Sequence, residues 1–192
     1  MSVGLIADLA IGMDGAGRGM LTYLPGDVPA DLGHYTDRQI ATAATLLRRY
    51  HDATTDFPGL AGDGEVVCHN DWGPPNALFR DGLPCAMIDF DTAAPGLRLW
   101  DLGYSAWSWL DIGNDDYSGP EQFRRLRVFA DAYGLPDCSP SRIAVFMLAR
   151  QAVLATWAGD RGLSDMAAWA RAAADWTVRS IIRPHVPDGF PQ

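Results

Sequence analysis

Apolar residues recur at helical spacing in five stretches of the chain, and shorter apolar runs lie between turn signals. The first helix opens at Thr36, with Gln39 three residues on as a capping-box partner. Ile40, Ala43, Ala44, Leu47, Tyr50 and His51 then keep the 3.6-residue period through Ala53. Four more helical stretches follow, at about Leu99–Leu110, Pro120–Tyr133, Pro140–Ala158 and Ser164–Arg183. Pro120 and Pro140 suit first-turn positions, whereas Gly134 and Gly159 suit helix ends. In the last helix Met166, Trp169, Ala173, Trp176 and Ser180 mark the expected buried stripe. The strand signals are short. Residues 1–12 read as one strand, Asp14-Gly15-Ala16-Gly17 as a turn, and Gly19–Leu24 as a second strand ended by Pro25-Gly26. Glu65–Cys68 is a third, and Ala77–Arg80 and Pro84–Ile88 form a hairpin across Asp81-Gly82. A small β element, a helix, a β insert and a helical bundle make an α+β chain, mostly α.

Composition narrows the class. At 192 residues the chain is long enough for one good-sized core and short for two independent ones. Its 48% hydrophobic and 20% charged residues are ordinary for a globular protein. No basic, apolar leader opens the sequence and no apolar run has membrane-spanning length, so a cytoplasmic location and no membrane partner are expected. The net charge of −9 argues against nucleic acid, which needs a basic stripe. Every basic residue other than histidine is arginine; there is no lysine. Cys68, Cys85 and Cys138 form no CxxC pair and read as small apolar side chains. The seven tryptophans read as core and packing residues.

The chemistry concentrates in Cys68–Asp91, CHNDWGPPNALFRDGLPCAMIDFD. Asn76 precedes the first strand of the Asp81-Gly82 hairpin and Asp89 follows the second, so an antiparallel fold brings both to its open end. An amide oxygen and a carboxylate then converge on one hard cation, a donor set that suits Mg²⁺. Asp71 lies in a loop stiffened by Pro74-Pro75, at a fixed offset from that pair. A carboxylate so placed can orient an acceptor hydroxyl and take its proton in phosphoryl transfer. His69, two residues earlier, is placed to brace the loop. His51 and His34 read as surface or packing residues. The acidic Asp111, Asp115 and Asp116 read as a solvated loop or the wall of a cationic cleft. A different chemistry pairs His69 and Asp71 with the distant His185 as a two-histidine, one-carboxylate iron site. That arrangement belongs to β-rich folds, which the helical second half does not supply.

His69-Asn70-Asp71-Trp72-Gly73-Pro74-Pro75-Asn76 resembles the H-x-D-x-x-x-x-N catalytic loop of the aminoglycoside phosphotransferase and choline kinase-like family, relatives of the protein kinases. Ile88-Asp89-Phe90-Asp91 is similar to its metal-binding segment, and Trp100-Asp101-Leu102 to its next block. The resemblance implies Asp71 as catalytic base, Asn76 and Asp89 as Mg²⁺ ligands, and His69 and Asp101 as structural support. It also implies a hinge in Gly17–Gly26, where Tyr23 and Leu24 would meet the base of ATP or GTP. The implied fold is a protein kinase-like large lobe at 32–192, preceded by a small-lobe and hinge remnant at 1–31. The implied activity is Mg-dependent transfer of a nucleotide γ-phosphoryl group to the hydroxyl of a small molecule, an aminoglycoside-like compound or another metabolite. The family also uses a phosphate-covering loop and a lysine, and neither is recognisable here. The alternative is therefore an inactive or incomplete kinase-like lobe, a binding module, with room for a completing lobe or self-association.

Overall fold

The computed structural model describes residues 10–30, 32–60 and 64–185. The expected strand at 1–12 is seen in part, as β1 (Ala10–Met13); residues 1–9 lie outside the described residues. β1 pairs antiparallel with β2 (Gly19–Leu21), whose turn is closed by Asp14 accepting from the Ala16 and Arg18 amides. β2 is shorter than expected, so Tyr23 and Leu24 follow it in irregular chain.

α1 (Asp37–Ala53) starts with the expected capping box: Thr36 Oγ1 accepts from the Gln39 amide and Gln39 Oε1 from the Thr36 amide. Its buried face, Ile40, Ala43, Ala44, Leu47 and Tyr50, packs on α3 (Gly119–Tyr133) and on β5 (Leu83–Met87). β5 forms the expected hairpin with β4 (Ala77–Arg80), Ala77 opposite Met87. β3 (Val66–Cys68) does not join that hairpin. It pairs antiparallel with β6 (Ala94–Gly96), a strand the sequence pattern concealed because Ala-Pro-Gly has the composition of a turn. The two short ribbons flank the loop between Cys68 and Ala77.

The helical half follows as α2 (Arg98–Leu110), α3, α4 (Pro140–Asp160) and α5 (Ser164–Trp176). Ser118 and Ser139 cap α3 and α4 through their hydroxyls, with Pro120 and Pro140 in the first turns, and Gly134 ends α3 in the left-handed conformation. α4 packs between α2 and α5. Its closeness to α2 depends on Gly103: a Cβ there would lie 2.6 Å from the Phe146 carbonyl carbon. The last helix differs from the expected single run. It passes at Thr177–Ile182 into wider π-type turns and closes with Arg183–His185.

Its buried stripe also differs. Met166 and Trp169 are 42% and 44% exposed, and the inward face is Ala167, Ala170, Ala173, Thr177 and Ile181. Small residues fill the face of α5 that packs on α4, while the Trp169 ring stacks on the buried Trp107 of α2 with centroids 4.4 Å apart. The tryptophans accordingly divide. Trp72, Trp107 and Trp109 fill the core, while Trp157 and Trp169 are exposed. Among the described residues, no helix is long and apolar enough to cross a membrane.

Candidate active site

The loop after β3 is held from below by one carboxylate. Asp101, in the first turn of α2, is fully buried. Its Oδ2 accepts from the His69 amide at 2.7 Å and its Oδ1 from the Asn70 amide at 2.8 Å. His51 Nε2 lies 3.0 Å from Oδ2. Burial alone would push this carboxyl up, but the hydrogen bonds from His51 and the two amides outweigh it and hold Asp101 below the usual carboxylate range. A buried carboxylate saturated in this way makes a rigid post for the loop.

His51 corrects the sequence reading: it is buried and polar, neither a surface residue nor plain packing. Its Nδ1 lies 2.8 Å from the Tyr133 hydroxyl, which accepts from Arg98 Nη1 at 3.1 Å, and Arg98 Nη2 meets Asp52 at 3.0 Å. With the proton on Nε2, donation runs in one direction from Arg98 through Tyr133 and His51 to Asp101, and each member polarises the next. Only a single histidine in a helical stripe signalled this, and helical period alone does not separate a packing histidine from a bonded one.

The loop's other side is tied to the segment after β5. His69 Nε2 lies 3.1 Å from the Ile88 carbonyl, and its Nδ1 accepts from the Asp71 amide at 3.4 Å. The brace expected of His69 is thus present, with both ring nitrogens engaged. Thr92 Oγ1 donates to the His69 carbonyl at 2.8 Å and Asn70 Nδ2 to the Thr92 carbonyl at 2.9 Å. Trp72 adds the apolar anchor: its indole is buried against Trp109, and Nε1 donates to the Ala43 carbonyl at 3.2 Å. The residue between these fixed neighbours is Asp71, which is half-buried.

Asn76 closes the loop back on Asp71. Its Nδ2 donates to the Asp71 carbonyl at 2.8 Å and to Asp71 Oδ2 at 2.9 Å. The hairpin ladder continues past Ala77 through the Ile88 amide, which donates to the Asn76 carbonyl at 3.0 Å. Asp89 is the next residue, in a left-handed conformation (φ 63°) with its side chain exposed. The hairpin therefore brings Asn76 and the Asp89 segment to one end, and Asn76 to Asp71 as well. Burial, with the Asp71 carboxylate nearby, holds the Tyr104 phenol of α2 well above its ordinary pKa.

The donor set fits a hard cation. With its NH₂ spent on Asp71, Asn76 has Oδ1 as the remaining amide atom, and Asp89, next to the Ile88 that bonds the Asn76 carbonyl, offers an exposed carboxylate. Two protein oxygens are what a Mg²⁺ ion shared with substrate phosphates needs.

Other candidate residues fall outside this constellation. His185 stacks on Phe123 with ring centroids 3.9 Å apart, and its Nδ1 contacts the Ile181 carbonyl. With His69 also engaged, the iron-site arrangement is not assembled. Asp111 caps the end of α2 and accepts from Asn114, Asp116 pairs with the exposed His34, and Asp115 is exposed. Cys68 is buried and its thiol is pushed up to about 12, chiefly by burial, which suits packing. Tyr23 is 87% exposed, and the chain around it reaches β4 at Asp27, which exchanges backbone hydrogen bonds with Phe79.

Comparison with known proteins agrees with this arrangement. Residues 63–137, the stretch from before β3 to just beyond α3, match the phosphotransferase enzyme family. The match covers the loop, the hairpin and Asp101 together. The chain is 29% identical over 144 residues to the trifolitoxin immunity protein of Rhizobium leguminosarum bv. trifolii, covering 65% of this chain and 55% of that protein. It is 27% identical over 151 residues to an uncharacterized protein of Deinococcus radiodurans, covering 64% and 42%. The chain thus spans about half the length of the curated relatives it matches. Among solved structures it resembles the GDP complex of aminoglycoside 2'-phosphotransferase-IIIa, with a TM-score of 0.59 at 12% identity over 90% of this chain and 75% of that one. At that identity the likeness is one of fold: α+β, mostly α, and kinase-like.

Proposed function

We propose that the chain carries the acceptor-activating and metal-holding part of a small-molecule phosphotransferase. One observation carries this reading most directly. The Asp71 carboxylate is gripped by Asn76 at the open end of the hairpin that ends in Asp89, on a loop posted on buried Asp101. In the proposed reaction Asp71 accepts the proton of an acceptor hydroxyl as the new O–P bond forms. The γ-phosphoryl group leaves the bridging oxygen, and a nucleoside diphosphate is released. Asn76 Oδ1 and the Asp89 carboxylate would hold Mg²⁺, which supplies neutralisation of phosphate charge when bound. His69 and Asp101 keep the loop in place without touching reactants.

In this reading residues 1–31 belong to the small-lobe and hinge side, where Tyr23 and Leu24 meet the base of ATP or GTP, and 32–192 form the large lobe. The acceptor is an aminoglycoside-like compound or another hydroxyl-bearing metabolite, and the reaction is cytoplasmic.

A second reading, a binding module or a lobe completed by another segment or chain, is favoured by the high exposure of Tyr23 and by a sequence without lysine. Calorimetric titration of Mg-ATP and Mg-GTP separates the two. The first reading expects metal-dependent binding by the wild-type chain, lost in Asp89→Ala, and turnover lost by more than about a hundredfold in Asp71→Asn with the fold retained. Absence of binding at millimolar nucleotide would sink the independent-enzyme reading.

A further inference from the structure

The peptide plane between Asn70 and Asp71 is held from both edges. On one edge its N–H, that of Asp71, points to His69 Nδ1 at 3.4 Å. On the other its carbonyl oxygen, that of Asn70, accepts from Arg150 Nη2 at 2.6 Å. Arg150 belongs to α4, eighty residues further along the chain. Asn70 itself is in the left-handed region at φ 67°, which a side chain other than glycine occupies at a cost unless its surroundings impose it. Nη1 of the same guanidinium also reaches Asn70 Oδ1, at 3.5 Å.

The guanidinium is itself confined. It lies over the Trp100 ring at 4.8 Å and over the Tyr104 ring at 5.0 Å, both on α2. Arg150 therefore reaches Asp71 through the peptide plane that sets the direction of its Cα–Cβ bond, with the Trp100 and Tyr104 rings holding the guanidinium in place. A planar cation stacked on aromatic faces with its N–H groups aimed at a carbonyl is a role that lysine fills poorly.

We propose that Arg150 is a positioning residue for Asp71, clamping the catalytic loop from α4 through the Asn70 carbonyl while the Trp100 and Tyr104 rings hold its guanidinium. The catalytic consequence rests on the phosphotransferase reading above; the clamp itself does not. Arg150 touches no reacting atom in this account, and its effect is on where the Asp71 carboxylate stands.

The test uses the full chain as wild type, Arg150→Met and Arg150→Lys, with amide hydrogen exchange as the first readout and steady-state kinetics as the second. The clamp expects exchange at the amides of residues 69–72 to quicken by about tenfold or more in Arg150→Met while the α1 and α3 amides hold their wild-type rates. Arg150→Lys, which keeps the charge but loses the stacked plane, falls between. Should Arg150→Met fail to fold, the Lys variant carries the comparison. Exchange unchanged at the loop, or quickened equally throughout the molecule, overturns the proposal, the second outcome making Arg150 a general stability residue. In an active preparation kcat falls about ten- to a hundredfold in Arg150→Met with the nucleotide KM within about twofold of wild type. A rise in KM alone overturns the positioning role. A wild-type chain without turnover refutes the phosphotransferase reading and leaves the exchange result to decide the clamp.

Discussion

The catalytic-type loop and the N-terminal segment sit at opposite extremes of restraint. Between Cys68 and Ala77, His69 and Asn70 hydrogen-bond to α2, α4 or the residues after β5, and Asn76 bonds both Asp71 and the Ile88 amide. Along 10–30, Met13, Met20, Tyr23 and Val28 are exposed, and attachment to the rest of the molecule runs through Asp27 and Phe79, with Arg80 Nη2 donating to the Pro25 carbonyl at 2.8 Å. The difference says where this chain stores its structural information. The loop for which acceptor and metal roles are proposed is built internally, by groups that satisfy one another. The segment assigned to the nucleotide base presents apolar side chains outward.

The comparison breaks most readily at Asp101. Replacing it with Ala removes three hydrogen bonds at once and leaves the His69 and Asn70 amides and the His51 ring buried without their partner. A loss of about 3–5 kcal/mol is expected from urea unfolding. A loss below about 1 kcal/mol would show that the loop does not depend on its post. The same residue gives a pH signature. Because Asp101 is held below the ordinary carboxylate range in the folded state, the unfolded chain binds its proton first as pH falls. Its contribution is therefore present above about pH 4 and is lost as pH drops through the lower folded-state value. In Asp101→Asn the acid limb of the stability curve should flatten.

A smaller effect is expected where the two regions join. Gly26 lies so close to β4 that a Cβ would overlap the Leu78 side chain and stand 2.6 Å from the Phe79 carbonyl oxygen. Gly26→Ala should cost about 1–3 kcal/mol through that overlap. It should also lift the Asp27–Phe79 bridge, seen as faster exchange of the Phe79 amide, while the amides of 69–72 keep their protection. Joint loosening of both would mean that the segment and the loop are one cooperative unit.

The sequence made this asymmetry partly legible. Helix positions came through because capping residues and apolar period report local physics: Thr36 and Gln39 at the start of α1, Gly134 at the end of α3. The meeting of Asn76 with the Asp89 segment was legible because an antiparallel hairpin fixes which residues lie at its ends. What stayed hidden depends on packing partners distant in the chain. His51 looked like one more position in a stripe until Asp101 and Tyr133 were placed against it, fifty and eighty-two residues away. Ala173 was placed in the stripe, but Ala167 and Ala170 were passed over for Met166 and Trp169, because hydrophobicity ranks the larger side chains first. Arg150 gave no signal, since its ligand is a backbone carbonyl and any residue type could have supplied it.

The smallest effect tests the outward-facing side. Tyr23 is 87% exposed, so its ring contributes little buried area in the isolated chain. Tyr23→Ser should change unfolding free energy by less than about 0.5 kcal/mol, in keeping with substitutions that touch neither core nor network. If Tyr23 meets a nucleotide base, the same substitution should weaken Mg-ATP binding measurably while leaving stability alone, since a stacked aromatic contact is gained only in the complex. A stability loss of about 2 kcal/mol would reverse the reading of this segment, because the ring would then have to pack on the chain's own surface. Unchanged stability together with unchanged nucleotide affinity would remove Tyr23 from the site and leave the binding of the base to other residues.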